Sequence, residues 1–391
     1  MPNNTHSAGC LVLVDDALSA KNPSTASLVA AIPLLKDKGW DIEFWGRRLD
    51  PELLPYVSHR RTFVFSLGAI PAFWNVVIRH VVDGLRWLRI KDKSKHVFLT
   101  TGGRFFLADI QWFHFYNKAW FRIQGGDIKR GGEPSLRKYL SLWGCFVDWL
   151  GIVTPLPKLI LPVSDSIGAE ILSDHKNSVV ETLPNCVDLS RFKIELRKEK
   201  REALREGFGF KNDETILLFV SQGHFTRKGL WLAFEAIYNL RVKGETNFRF
   251  VILGGNEQVL QLLIKHLDAI DLDWSSWVTL VGWTKQVPEY MAAADALFFP
   301  SYFEAFSLVE IEAAAMALPL VLTPHHGSEM ILEDGVNGYF CKYSIDDIGE
   351  VLCKLRLHPL DIQNPSLGRA LTVSQWAEEF DKKMRNILKS K

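Results

Sequence analysis

The residue types in this chain best suited to chemistry stand in Pro300-Ser301-Tyr302-Phe303-Glu304-Ala305-Phe306-Ser307-Leu308-Val309-Glu310-Ile311-Glu312, where a loop runs from an apolar segment into a helix. Glu304 precedes the helix and Glu312 lies just over a turn inside it, with seven residues between them. A carboxylate accepts hydrogen bonds from neighbouring hydroxyls, so one glutamate could hold a sugar and the other a ribose. The N–H groups between them open a helix and suit oxygen-rich anionic groups. The same pattern also describes a capped amphipathic helix with solvated glutamates. A second cluster, Phe219-Val220-Ser221-Gln222-Gly223-His224-Phe225-Thr226-Arg227-Lys228-Gly229, sets Arg227 and Lys228 on a loop between a strand and a helix. Cations there can neutralise a diphosphate at the carboxyl edge of a parallel sheet, although Arg-Lys-Gly in a loop is also an ordinary surface turn. Asp271-Leu272-Asp273 has the form of a metal-binding D-x-D, but it lies in a charged connector and reads as surface.

Strand-like apolar runs alternating with amphipathic stretches must position these residues, which is the signature of parallel sheets covered by helices. Leu11–Val14 reads as a first strand and Ser24–Lys38 as a helix capped by Ser24. Strands follow at 41–45, 62–66, 96–100, 110–114, 159–163 and 179–183, with a helix through Leu172 capped by Ser164-Asp165-Ser166. The charged stretch Arg197–Glu206 then separates a second series, with strands at 215–220, 248–253, 278–281, 296–299 and 320–323 and helices between them. Two series of similar size predict an α/β protein with two Rossmann-like domains facing a cleft. The expected division is 1–190, 191–371, and a C-terminal helix 372–391 whose Trp376, Phe380, Met384 and Leu388 recur at helical spacing.

Composition narrows the class. A chain of 391 residues exceeds one ordinary core, and 47% hydrophobic with 23% charged residues excludes disorder and a multi-span membrane protein. With 46 Lys+Arg against 45 Asp+Glu, no nucleic-acid partner is expected. Five scattered cysteines without a C-x-x-C pair, and no signal-peptide pattern, predict a cytoplasmic protein without disulfides. Charge and aromatics are unevenly placed. Residues 51–150 hold 15 Lys+Arg against 7 Asp+Glu, and eight of the 13 tryptophans precede residue 150. This describes either an aromatic core with solvated basic faces, or a surface that lies on anionic lipid or holds a lipid-linked acceptor. The nearest approach to a membrane span, Tyr139–Val163, contains Asp148, Pro155 and Pro157, and reads as a helix ending near Val153 that packs in the first domain.

Together the motifs resemble the GT-B glycosyltransferases of family 4, the group 1 glycosyltransferases. The family's E-x7-E element matches Glu304 and Glu312, its lysine-glycine loop Lys228-Gly229, and its interdomain strand Asn185-Cys186-Val187-Asp188-Leu189-Ser190-Arg191-Phe192. Val163-Ser164, Leu253-Gly254-Gly255, Ala293-Ala294-Asp295-Ala296, Pro319, Gly327, Glu329 and Asp334-Gly335-Val336-Asn337-Gly338 match in the same order, so the resemblance is dense over about 160–345. It implies a donor-binding second domain, an acceptor-binding first domain and a last helix crossing back to the first. The activity it implies is transfer from a nucleotide diphosphate-sugar, with retention and without a metal or other cofactor, to a glycan or lipid-linked glycan in surface-polysaccharide or lipopolysaccharide assembly. Glu312 would bind the ribose, Lys228 and Arg227 the diphosphate, and Glu304 the sugar hydroxyls. The amides around Ala305, Phe306, Ser307 and Leu308 would face sugar and phosphates, and His114 the reacting carbon. Ser24 and Thr25 would line a phosphate or acceptor loop. Location at the inner face of the membrane would suit such an acceptor.

The chain departs from the family at Gln222 and Gly223, where an arginine is usual, and at Ala305 and Ser307, where glycines are usual. These departures support the alternative of a non-catalytic sugar-nucleotide-binding subunit or scaffold.

Overall fold

The computed structural model describes residues 8–62, 72–126, 135–154 and 157–391. Two compact units divide the chain: residues through 186 together with 371–391, and residues 187–370.

The first unit is built on β1 (Gly9–Val14), β2 (Ala17–Leu18), β3 (Trp40–Gly46), β4 (Arg48–Leu49), β5 (Ser58–Arg61), β6 (His96–Thr101), β7 (Ile110–Phe113) and β8 (Leu159–Pro162). Six of these strands form one sheet in the order β5-β3-β1-β6-β7-β8, and every pairing is parallel. Its central strands are almost wholly buried, because a parallel sheet carries helices on both faces. The helices of this unit are α1 (Ala26–Asp37), α2 (Ala72–Arg89), α3 (Asn117–Gly126), α4 (Ser135–Val153) and α5 (Asp165–Asp174). The chain passes at β9 (Cys186–Val187) into the second unit.

There α6 (Ile194–Gly207) precedes β10 (Thr215–Val220), α7 (Leu230–Val242), β11 (Phe248–Leu253), α8 (Glu257–Ile270), β12 (Val278–Gly282), α9 (Val287–Ala293), β13 (Ala296–Phe299), α10 (Leu308–Ala315), β14 (Leu320–Leu322), β15 (Gly338–Phe340) and α11 (Ile345–Leu357). The sheet order β12-β11-β10-β13-β14-β15 is again all parallel and reverses direction at β10 and β13. After β16 (Leu371–Thr372), α12 (Val373–Lys389) returns to the first unit. Thr372 and Gln375 form a capping box at its start. Its buried Trp376 lies 5.4 Å from Trp112, and Asp381 accepts a 2.6 Å hydrogen bond from the Trp40 indole. The last helix is therefore part of the first unit's core.

Four local expectations change. The edge strand lies at Ser58–Arg61, not 62–66, of which 63–66 fall outside the described residues; this polar strand carries no apolar run to read. Residues 179–183 form an isolated bridge from Val180 to Ile160, not a strand. Helix α1 begins at Ala26 with Thr25 at its N-cap, so Ser24 is not the cap. The charged stretch 197–206 is not a separator but helix α6. Its Arg197, Arg201 and Arg205, spaced four apart, donate to carbonyls of Met291–Ala294 at the end of α9, and Arg201 and Arg205 also pair with Asp295. Cations there complete the open carbonyls of a helix C-terminus.

Helix α4 ends at Val153, where the sequence places it. Asp148 is buried and accepts two 2.9 Å hydrogen bonds from Asn117, and burial pushes its pKa up to about 6 against those bonds. The opposite side of the helix leaves Leu142, Phe146, Trp149 and Val153 exposed. Among the described residues no helix is long and apolar enough to cross a membrane.

Candidate functional site

In the second unit, β10 and β13 are neighbours, with Leu217 opposite Ala296, so the loops after Val220 and Phe299 leave the sheet side by side. Backbone contacts fasten them together. Tyr302 N–H donates to the Arg227 carbonyl at 2.9 Å, and the Ser301 hydroxyl reaches the same carbonyl at 3.3 Å. Gly229 caps α7 at φ +76°, and a Cβ there would stand 1.9 Å from the Pro300 carbonyl oxygen. Only glycine combines that dihedral with that approach. On the far side, the Thr323 and Tyr343 hydroxyls donate to the Ser301 carbonyl at 2.8 and 3.1 Å.

This framework sets Lys228 Nζ 3.0 Å from Glu304 Oε1, with both side chains mostly buried and the ammonium 4.7 Å from the centre of the Phe299 ring. Burial works against a charge on Glu304, but Lys228, Arg227 and His325 outweigh it and hold the carboxyl below its usual range. Glu304 is thus an anion, and Lys228 keeps further N–H donors for another oxygen.

Helix α10 starts beside this pair. Its N-cap is Ser307, whose hydroxyl does not close the first turn, and Ala305 and Phe306 lead into it buried. Glu312, half-buried on α10, is pushed up to about 7 by burial, with Arg191 acting in the opposite direction. Glu304 and Glu312 therefore titrate far apart, one held as an anion and the other near neutrality. Glu310, which the sequence motif passes over, is fully buried with Oε1 3.1 Å from His325 Nε2. Burial disfavours the imidazolium, but Glu310 and Glu304 raise the His325 pKa overall. The signal in the sequence was a second carboxylate in an otherwise apolar helix and a histidine just after β14.

In the first unit, His114 follows β7 at the sheet's carboxyl edge, 4.0 Å from Trp112 between ring centres. Burial and the nearby Arg104 push its pKa down to about 3, so its ring is neutral, and its buried Nε2 has no hydrogen-bond partner among the described residues. Thr25 is buried, with its hydroxyl donating to the Ser19 carbonyl at 2.9 Å, whereas Ser24 is half-exposed beside it. Asp15 and Asp16, at the end of β1, meet Arg47, Arg48, Arg79 and Arg104, none of which sequence reading singled out. The Asp271-Leu272-Asp273 stretch closes the end of α8: Asp271 accepts from its neighbour Asp273 N–H and from the Trp277 indole. Among the described residues no three His, Cys, Asp or Glu side chains are gathered as a metal site requires.

Two parallel-sheet Rossmann-like units, with a lysine–glutamate pair and an open helix start at the carboxyl edge of the second, define the GT-B architecture. Residues 214–356 match the family model described as glycosyl transferases group 1, which establishes the resemblance over the second unit. The chain is 24% identical over 161 residues to UDP-Gal:alpha-D-GlcNAc-diphosphoundecaprenol alpha-1,3-galactosyltransferase of Escherichia coli, covering 41% of this chain and 40% of the relative. It is 30% identical over 157 residues to lipopolysaccharide glucosyltransferase WaaG of Escherichia coli K12, covering 39% and 40%. The matched segments thus span less than half of these relatives. The crystal structure of WaaG superposes with a TM-score of 0.69 at 16% identity, covering 97% of this chain and 95% of that one. The structure of Anabaena HepE in complex with UDP-glucose gives 0.63 at 14% identity, covering 98% and 100%. At these identities the structures speak for the fold.

Proposed function

We propose that this chain is a glycosyltransferase moving a sugar from a nucleotide diphosphate-sugar to a glycan or lipid-linked glycan, in lipopolysaccharide or other surface-polysaccharide assembly. The observation that carries the reading is the buried Lys228–Glu304 pair beside the open start of α10. Lys228 and the first-turn amides offer positive charge where a diphosphate leaves, which is the kind of stabilisation such a reaction needs most. Glu304, held as an anion, accepts from sugar hydroxyls, and Glu312 accepts from the ribose.

The chemistry we propose is a front-face displacement with retention. The bond from the anomeric carbon to the diphosphate oxygen breaks first; the freed oxygen takes the acceptor's hydroxyl proton, and the acceptor oxygen bonds to carbon on the same face. No metal enters this scheme, so turnover should persist in EDTA. His114, neutral at working pH, would act as a hydrogen-bonding group and not as a cation. The exposed stripe Leu142, Phe146, Trp149 and Val153 on α4 supports peripheral attachment to an anionic membrane.

A panel of nucleotide-sugars tests the reading: one donor should be hydrolysed or transferred by the wild type and not by Lys228→Ala. The loss of the family's arginine and glycines favours a second reading, a binding subunit without activity. It would be supported by a donor that raises the melting temperature yet is never turned over.

A further inference from the structure

The first unit carries a surplus of guanidinium groups around one carboxylate. Asp16 Oδ2 lies 3.0 Å from Arg47 Nη2 and 3.6 Å from Arg48 Nη2, and its Oδ1 lies 3.8 Å from Arg79 Nη1. Two further aspartates act on Arg79: Asp15, and Asp83, whose Oδ2 is buried without a hydrogen-bond partner among the described residues. Asp15 accepts from Thr101 Oγ1, the Asp16 amide and, at 2.7 Å, Arg104; Asp83 accepts through Oδ1 from Thr62 and Arg86. Five arginines, Arg47, Arg48, Arg79, Arg86 and Arg104, face these three aspartates, which leaves local positive charge. Two of the arginine donors, Arg47 Nε and Arg79 Nη2, are buried without a hydrogen-bond partner among the described residues, and Arg79 is only 9% exposed. A buried donor left unmade costs about 1–3 kcal/mol, so an arrangement that tolerates two of them invites an acceptor from outside.

The site is preformed. The N–H groups of Arg47 and Arg48 both donate to the Asp16 carbonyl, at 3.0 and 3.1 Å, and β2 pairs with β4 to lock the two loops. Asp16 follows β1 and Arg47 follows β3, both at the carboxyl edge where ligands bind doubly wound sheets. Several convergent guanidinium forks match the multiple oxygens and double charge of a phosphoryl group better than a single carboxylate.

We propose that Arg47, Arg48 and Arg79 around Asp16 form a phosphoryl-binding site, which takes a phosphate or diphosphate group of the molecule that receives the sugar. The identity of that molecule as acceptor rests on the glycosyltransferase reading; the anion site does not.

Calorimetric titration of the full chain with inorganic pyrophosphate tests it. Two sites are expected in the wild type. Arg79→Gln should weaken one about tenfold or more, and Lys228→Ala should remove the other. Wild-type binding by Arg79→Gln overturns the proposal. Loss of one site in Arg79→Gln with both retained in Lys228→Ala sinks the donor reading and leaves the arginine site standing. Should Arg79→Gln not fold, the surface double variant Arg47→Gln/Arg48→Gln decides: unchanged pyrophosphate affinity rejects the site. Glucose 1-phosphate and micellar farnesyl diphosphate then separate a soluble from a lipid-borne ligand. Whichever loses affinity in the variant names the source, and if neither does, the acceptor assignment fails.

Discussion

The carboxyl edges of the two sheets gather charge in opposite ways. In the second unit the groups come from two short loops and one helix start, and the contacts that position them are local to those loops: Gly229 against Pro300, Tyr302 against Arg227. In the first unit Asp15, Asp16, Arg47, Arg48, Arg79, Arg104 and His114 are drawn from across a hundred residues by the sheet and α2. Their arrangement depends on packing and not on any contiguous motif. The proposed donor site is thus encoded compactly, whereas the proposed phosphoryl site is assembled from scattered positions. If so, damage to the second site should be concentrated in a few residues, and damage to the first should be distributed.

The largest effect should come from Lys228→Ala. It removes the cation proposed to face the leaving group, and the largest of the charges that hold buried Glu304 as an anion, leaving Arg227 and His325. Steady-state kinetics should show turnover reduced about 10²–10³-fold, the usual cost of losing one such charge-stabilising donor. A loss below tenfold would mean the second site is not concentrated in this way.

Next comes Glu310→Gln. Breaking a fully buried pair by neutralising one partner costs about 3 kcal/mol, measured by denaturant unfolding. Because the pKa of His325 is raised on folding, its contribution is fully present below the unfolded value near 6.5 and is lost as pH rises through the higher folded value. The variant should lack that loss, and an unchanged pH profile would show the pair to be inert.

Glu312 gives a smaller effect of the same sign in a lower pH window, since its pKa too is raised on folding. Its pKa is raised from 4.5 to about 7, so the ligand-free fold binds its proton more tightly than the unfolded chain does. Stability should therefore fall as pH rises between these values, by at most about 3 kcal/mol, while nucleotide affinity strengthens over the same window as the carboxylate forms. Glu312→Gln should flatten both slopes, and a retained slope in affinity would deny Glu312 the ribose.

The smallest effect is expected in the first unit. His114→Gln keeps a neutral hydrogen-bonding side chain and should cost about tenfold in turnover, with no titration step near neutral pH assignable to His114, whose pKa lies at about 3. A step near pH 6.5 that vanishes in the variant would show the imidazole to be charged and the first site to act by charge after all.

Strands β10, β11, β13 and β14 of the second unit were legible because each is a buried apolar run, and β13 falls at its sequence-read ends. Lys228 and Glu304 were legible because the loop carrying each is short. The Glu310–His325 pair was not, since its partners lie fifteen residues apart on different elements and either alone reads as surface. The edge strand β5 was missed because its Ser-His-Arg-Arg sequence has no apolar face, and only its neighbour β3 makes it a strand. The basic excess in residues 51–150 was visible as a count; of its cations, Lys129 and Arg130 lie outside the described residues.

Periodicity and spacing alone determine the strand and helix series of the two units, the last helix and the short loops that carry Lys228 and Glu304, because each depends on residues a few positions apart along one element. Tertiary structure decides which buried charges face one another. It puts Arg79 against Asp16, Arg104 beside His114 and Glu310 on His325, and so decides which groups ionise. Electrostatic energy in a desolvated interior depends on distances of a few ångströms between residues far apart in sequence, and only the folded chain sets those distances.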